Sequence, residues 1–182
     1  MRRVACIYFP DWSVQHRLTC RRPDDRRRLV VISEAGGRGE RVQACCDGAS
    51  ADGVRPGMPL AEARAVLSSS SGEEPGGLEV IESDSGRDRE SLASQCGCAW
   101  RFTPRVALPP VAGVGRPARS DPRTHPESLL ANITGCGHLF GDDHGLAMAM
   151  QEDWSERGFR VRVAVAGSPG TAWAIAHAAH WT

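Results

Sequence analysis

Lysine is missing from this chain: every one of its 22 lysine-or-arginine positions is an arginine. That absence removes Schiff-base chemistry, P-loop phosphate binding and lysine general bases together. Net charge is missing as well, since 22 acidic residues balance the 22 arginines, so the molecule as a whole exerts no long-range pull on a polyanion and any nucleic-acid contact must be local. An export signal is not legible. Residues 4–9 form an apolar run after Arg2 and Arg3, but Pro10 and Asp11 end it too early for a signal peptide, and no later run is long enough to span a membrane. Without an export signal, an odd count of seven cysteines suits a reducing cytoplasm better than a disulfide framework.

What is present suits a folded domain. At 182 residues, 41% apolar and 24% charged, the chain suffices for one ordinary domain, or for a core domain with a smaller insertion. Residues 4–9 read as a buried strand, residues 29–33 as a second, 36–39 as a turn and 41–46 as a hairpin partner. Pro59 opens a short helix, and the serine, glycine and glutamate tract of 68–77 reads as a solvated loop. Residues 78–81 read as a strand. Ser83 or Ser85 caps a helix over about 87–102, stopped by Pro104. Strands follow at 106–108 and 129–134, separated by a glycine-, proline- and arginine-dense loop over 109–126. Leu146, Met150 and Trp154 mark an amphipathic helix over 144–157, ended by Gly158. A half-buried strand covers 160–166, 167–170 turn, and a last helix covers 171–179. Residues 78–166 thus read strand, helix, strand, strand, helix, strand, a ferredoxin-like order that the first strand can join. The expected layout is one discontinuous α+β domain over 1–9 and 78–182, with 10–77 as an insertion.

Three stretches, taken in order, carry a resemblance. Gly53-Val54-Arg55-Pro56-Gly57-Met58-Pro59-Leu60-Ala61-Glu62-Ala63 resembles the fingers segment of the Y-family translesion DNA polymerases, where a Tyr-Glu-Ala-Arg motif precedes Gly-Val and a Met-Pro pair. Asn132-Ile133-Thr134-Gly135-Cys136-Gly137-His138-Leu139-Phe140-Gly141 is similar to the Asp-Val-Thr-Gly and Leu-Phe-Gly run that follows that family's catalytic carboxylates. Phe9-Pro10-Asp11-Trp12, with Val14-Gln15, resembles the opening of the family's ImuB branch. The resemblance implies a polymerase palm with a small fingers insertion, the thumb and little finger being absent.

It also implies a damaged active site. Two-metal phosphoryl transfer needs magnesium ions held by hard carboxylate oxygens. The family supplies one acid at the end of the first strand and an Asp-Glu pair before the second motif. In the register set by Val14-Gln15 the first-strand positions fall on Cys6 and Tyr8, or on Asp11 in a shifted register, and the pair falls on Glu127 and Ser128. The family's triphosphate-contacting tyrosine and arginine fall on Asp47 and Ser50, and its phosphate-proximal lysines on Thr171 and Ile175. An aspartate repels a triphosphate that an arginine would clamp.

Other constellations read more plainly. Cys45-Cys46, Cys96-x-Cys98 and Cys136-x-His138 lack the spacing of paired zinc knuckles and read as structural thiols. His125, His138 and His144, near Asp142 and Asp143, have no nucleophile elbow beside them and read as surface or capping groups. The cluster Arg21, Arg22, Arg26, Arg27 and Arg28, diluted by Asp24 and Asp25, fits either a phosphate-backbone contact or a solvated loop. Trp12, Trp100, Trp154 and Trp173 have apolar neighbours and read as core.

The reading that joins these observations is a pseudoenzyme: a non-catalytic accessory protein in DNA repair, translesion synthesis and damage-induced mutagenesis, with no cofactor. By resemblance its partners are a sliding clamp, an error-prone replicative-type polymerase and a RecA-like companion, with DNA possible and no membrane. The alternatives are an active Y-family DNA polymerase fragment, which would need magnesium, and an unrelated ferredoxin-like binding domain.

Overall fold

The computed structural model describes residues 2–19, 29–36, 39–70, 78–109 and 127–178. It divides into two compact units, residues 1–12 with 86–182 and residues 13–85.

The larger unit is built on a four-stranded sheet in the order β5-β6-β1-β7. β1 (Val4–Tyr8) lies at its centre, antiparallel to both β6 (Ser128–Asn132) and β7 (Arg162–Ala166), and the two-residue β5 (Val106–Ala107) borders β6. Two helices, α4 (Ser85–Ala99) and α5 (Asp143–Glu156), complete the chain order strand, helix, strand, strand, helix, strand of a ferredoxin-like α+β fold. Alternation along β1 sorts its side chains. Ala5, Ile7 and the following Phe9 join Leu92 of α4 and Leu146, Met150 and Trp154 of α5 in the main core. Cys6 and Tyr8 turn to the other face, which α6 (Pro169–Ala178) covers through Ala172 and Ala176 against Ala164 and Ala166.

Local chemistry sets the ends of these elements. Asp142 caps α5, its Oδ1 accepting from the Gly145 N–H at 2.7 Å, and Asp143 pairs with Arg3. Gly135 and Gly141 of the second motif have φ of +81° and +88°, a region that costs a side-chain-bearing residue about 1 kcal/mol or more, so both turns require glycine. Between them Gly137–Phe140 forms a single 3-10 turn. Trp12 is buried and its indole N–H donates to the Asp88 carbonyl at 2.8 Å.

The smaller unit has its own three-stranded sheet, ordered β3-β2-β4. β2 (Leu29–Gly36) and β3 (Gly39–Cys45) form the expected hairpin, closed at the Gly36–Gly39 pair. β4 (Leu78–Glu82) runs parallel to β2, aligning Val80 with Val31 and Ile81 with Ile32. The core joins Val30, Val31, Ile32, Val42 and Ala44 to Val14 of α1 (Trp12–Thr19), Ala49 of α2 (Asp47–Ala51) and Leu60, Ala63 and Leu67 of α3 (Leu60–Ser70).

Three expectations are corrected. Residues 78–82 do not open the ferredoxin-like order; β1 does, and β4 completes the other sheet. A parallel partner needs a crossover connection, and the helices between β3 and β4 supply one. The boundaries accordingly fall after residues 12 and 85, not after 9 and 77. Trp100 and Trp173 are not core: they remain 64% and 43% exposed, while Trp12 and Trp154 are buried. The arginine cluster over 21–28, most of the 109–126 loop and His125 lie outside the described residues.

The packing around Met150, which is fully buried between α4, α5 and the sheet, generates a stability prediction. Met150→Ala should cost about 2–5 kcal/mol, measured by urea unfolding followed by circular dichroism. A cost under about 0.5 kcal/mol, the level of a surface change, would contradict this packing.

Candidate functional site

The face of the larger sheet beneath α6 gathers the positions singled out by the resemblance. The β1–β6 register sets Tyr8 opposite Ser128 and Cys6 opposite Leu130, and the Phe9 N–H donates to the Glu127 carbonyl at 2.7 Å. Cys6, Tyr8, Glu127 and Ser128 therefore cluster at one end of the two central strands. Asp11, just past β1 with φ of +50°, lies close enough to act electrostatically on both Glu127 and Tyr8. Both registers considered for the first-strand acid lead to the same place.

The cluster is poor in usable charge. Cys6 is fully buried, and burial pushes its thiol up to about 12, against a smaller opposing effect from a hydrogen bond with Ser128, so it stays neutral. Burial also pushes Glu127 up to about 7; repulsion from Asp11 adds to this, and a hydrogen bond with Tyr8 opposes it. Near neutral pH roughly half of the molecules carry Glu127 as an uncharged acid. Tyr8 is raised to about 12, chiefly by burial and by the Glu127 charge, with Arg162 pulling the other way. Its hydroxyl is a hydrogen-bond donor, not an anion.

Residues without any role in the resemblance complete the site. β7 aligns Arg162 with Tyr8, and the guanidinium carbon sits 4.9 Å from the tyrosine ring centroid. His177 of α6 packs on Tyr8 with ring centroids 3.9 Å apart, and Trp173 stacks on His177 at 4.1 Å. Burial lowers the His177 pKa, and the nearby Arg162 adds to this, which favours the neutral ring. Arg160 reaches Asp11 at 3.4 Å in a half-exposed ion pair. The alternation of arginine with apolar residues from Arg160 onward was the available signal for Arg162, because it places that side chain on the same face as Tyr8. Nothing in the local sequence marked His177.

The remaining predicted positions are placed elsewhere. Thr171 lies in the first turn of α6, where the Ser168 hydroxyl meets its Oγ1 at 2.8 Å and accepts from its N–H at 3.2 Å, a helix cap in the place of a phosphate-binding lysine. Ile175 is exposed on the same helix. Asp47 and Ser50 belong to the smaller unit, in α2, whose amino terminus is capped by the Cys46 sulfur. Arg55 donates to the Ser50 carbonyl and to the Val54 carbonyl, and reaches the Ser50 hydroxyl at 3.4 Å. Among the described residues no three histidine, cysteine, aspartate or glutamate side chains are grouped to hold a metal, and no helix is long and apolar enough to cross a membrane.

Known proteins share this architecture. No family model matches the chain. Protein ImuB from two strains of Caulobacter vibrioides is 27% identical over 124 residues, 68% of this chain, and the match spans only 22% of the relative's own length. Among solved structures, the insertion ternary complex of Dbh DNA polymerase superposes with a TM-score of 0.66 at 15% identity, over 97% of this chain and 46% of that one. The post-insertion binary complex of Dbh gives 0.68 at 14% identity with the same coverage. DinB from Sulfolobus solfataricus gives 0.60 at 16% identity, again over 97% and 46%. The fold is that of the palm and fingers of the Y-family DNA polymerases. In sequence, the chain is similar to Protein ImuB over about two thirds of its own length, so within that fold it is ImuB-like.

The raised pKa of Glu127 has a direct thermodynamic consequence. Between its ordinary value of 4.5 and its folded value near 7, the unfolded chain releases a proton that the folded chain keeps. Stability should therefore fall as pH rises through this window, by an amount on the order of a few kcal/mol, and level off above it. Glu127→Gln should remove that part of the pH dependence, measured by urea unfolding at both ends of the window. An unchanged slope in the variant would contradict the assignment.

Proposed function

We infer that this chain is a non-catalytic, polymerase-like accessory protein of DNA repair, serving translesion synthesis and damage-induced mutagenesis in the SOS response of the cytoplasm. The observation that carries this reading is the arrangement around Tyr8. At the first-strand acid positions stand a neutral thiol and a phenol, with the Arg162 cation over the phenol ring, and Glu127 is held partly protonated.

The chemistry argues against a magnesium pair. Each ion demands hard, anionic oxygens in near-octahedral geometry, and shedding its water is costly without them. A buried thiol is a soft ligand, and the Ser128 hydroxyl that hydrogen-bonds to it adds no charge. A guanidinium close by further disfavours a divalent cation. On the nucleotide side, Thr171 is engaged in a helix cap and Ser50 offers no clamp for a triphosphate. Cys6, Ser128, Ser50 and Thr171 each stand where the resemblance calls for a charged side chain. The reading therefore keeps the scaffold of the polymerase and omits its chemistry.

DNA is the first partner this reading assigns, because the structural relatives are DNA polymerases, one of them in a ternary complex. The sliding clamp, the error-prone replicative-type polymerase and the RecA-like companion follow from the likeness to ImuB. No cofactor and no membrane contact are assigned.

The test pairs loss with restoration. The chain should give no template-directed nucleotide incorporation with magnesium or manganese and no saturable dNTP binding by calorimetry. The triple variant Cys6→Asp, Tyr8→Asp, Ser128→Glu should gain metal-dependent dNTP binding, since it returns the carboxylates to one face. Incorporation by the unaltered chain would overturn the reading in favour of an active polymerase.

A further inference from the structure

On the opposite face of the larger sheet from the Tyr8 cluster, where α4 and α5 pack, the molecule opens into a groove of about 470 Å³. Phe102 and Phe140 form its apolar wall, with ring centroids 5.7 Å apart, and Ala149 lies beside them. The polar wall comes from α5, where Glu152, Asp153 and Glu156 follow Ala149 at three, four and seven residues and so share one stripe of the helix. The three carboxylates are not equivalent. Asp153 is buried and held by both Arg101 and Arg157, which satisfies its charge. Glu152 and Glu156 are exposed and lie in no ion pair among the described residues, although Arg157 acts electrostatically on Glu156.

Three exposed apolar residues adjoin lining residues in sequence. Trp100, next to Arg101, is 64% exposed; Leu139, next to Phe140, is 69% exposed; Met148, next to Ala149, is 52% exposed. The two unpaired carboxylates then select the occupant. They repel a phosphate backbone, which argues against DNA here, and they attract a cation. An open groove with an aromatic wall and an acidic rim matches the way amphipathic helices are recognised, by apolar anchors on one face and charges at the margin.

We propose that this groove docks a basic amphipathic helix of a partner protein, an apolar side chain resting against Phe140 and Ala149 and arginine or lysine side chains meeting Glu152 and Glu156. This site is independent of the Tyr8 cluster and of whether that cluster is inert. Asp153 takes a positioning role, fixing Arg101 at the groove's edge through their ion pair.

The test uses the full chain and a fluorescein-labelled synthetic peptide helix with leucines on one face and arginines beside them. A copy with glutamates in place of the arginines is the control. The arginine peptide should bind, with affinity that falls as salt is raised, and the glutamate copy should not. The double variant Glu152→Lys, Glu156→Lys should weaken the arginine peptide about tenfold and gain binding of the glutamate peptide, because reversing both charges exchanges the preferred partner. Both residues are exposed, and circular dichroism should show an unchanged fold. Three results would overturn the proposal: no binding of the arginine peptide, equal binding of the two peptides, or affinity unmoved by the double reversal. Sedimentation that finds a dimer abolished by the same reversal would also overturn it, because the groove's occupant would then be a second copy of the chain.

Discussion

A strand at the centre of a sheet that is covered on both faces cannot carry unpaired charge. β1 is such a strand: Val4, Ala5, Cys6 and Ile7 are all buried, with β6 and β7 on either side, one core beneath and α6 above. A carboxylate at position 6 or 8 would face desolvation worth several kcal/mol unless a cation sat beside it. Metal ions are one way to meet that demand. On the proposed reading this chain avoids that demand, with a thiol and a phenol at those two positions and an arginine packed over the phenol ring.

The rest of the cluster follows from that arrangement. Tyr8 brings a ring as well as a hydroxyl, and the ring gives Arg162 and His177 apolar faces to pack against. Glu127 keeps its place at the head of β6 but, with no cation close enough to offset its burial, its proton stays on to near neutral pH. The small residues Ala164 and Ala166 on β7 let α6 lie close over the same face, its Ala172 and Ala176 inward. The scaffold remains coherent because its main core, on the other face of the sheet, does not depend on any of these groups.

Much of this was legible from pattern. The period of four through Leu146, Met150 and Trp154 marked α5, the alternation of 160–166 marked β7, and the apolar run at 4–9 marked the central strand, because each has one dominant periodicity. The motif residues pointed to one place in the fold, since Cys6, Tyr8, Glu127 and Ser128 meet where β1 and β6 pair. Other features were not legible. The segment Leu-Glu-Val-Ile-Glu at 78–82 states that it is a strand but not which sheet it joins, and its parallel pairing with β2 is a long-range property. The eight residues of α1 are too mixed in polarity to announce a helix, and α2 has only five. Trp100 and Trp173 have apolar neighbours in sequence, yet Trp100, just past the end of α4, and Trp173, on an outward face of α6, are exposed, which neighbours alone do not reveal. His177 reaches Tyr8 only because α6 crosses β1, a fact of tertiary packing.

The central claim of the proposed function is electrostatic: the cleft around Tyr8 offers a divalent cation too little negative oxygen to displace its water. Electron paramagnetic resonance of manganese titrated into the chain reads this most directly, because bound manganese disappears from the free-ion signal. The account predicts that the signal rises in proportion to added metal up to millimolar concentrations, the range expected of surface carboxylates alone, about 1 mM or weaker. Two manganese ions taken up per chain at micromolar concentration, and released by Glu127→Gln, would contradict it.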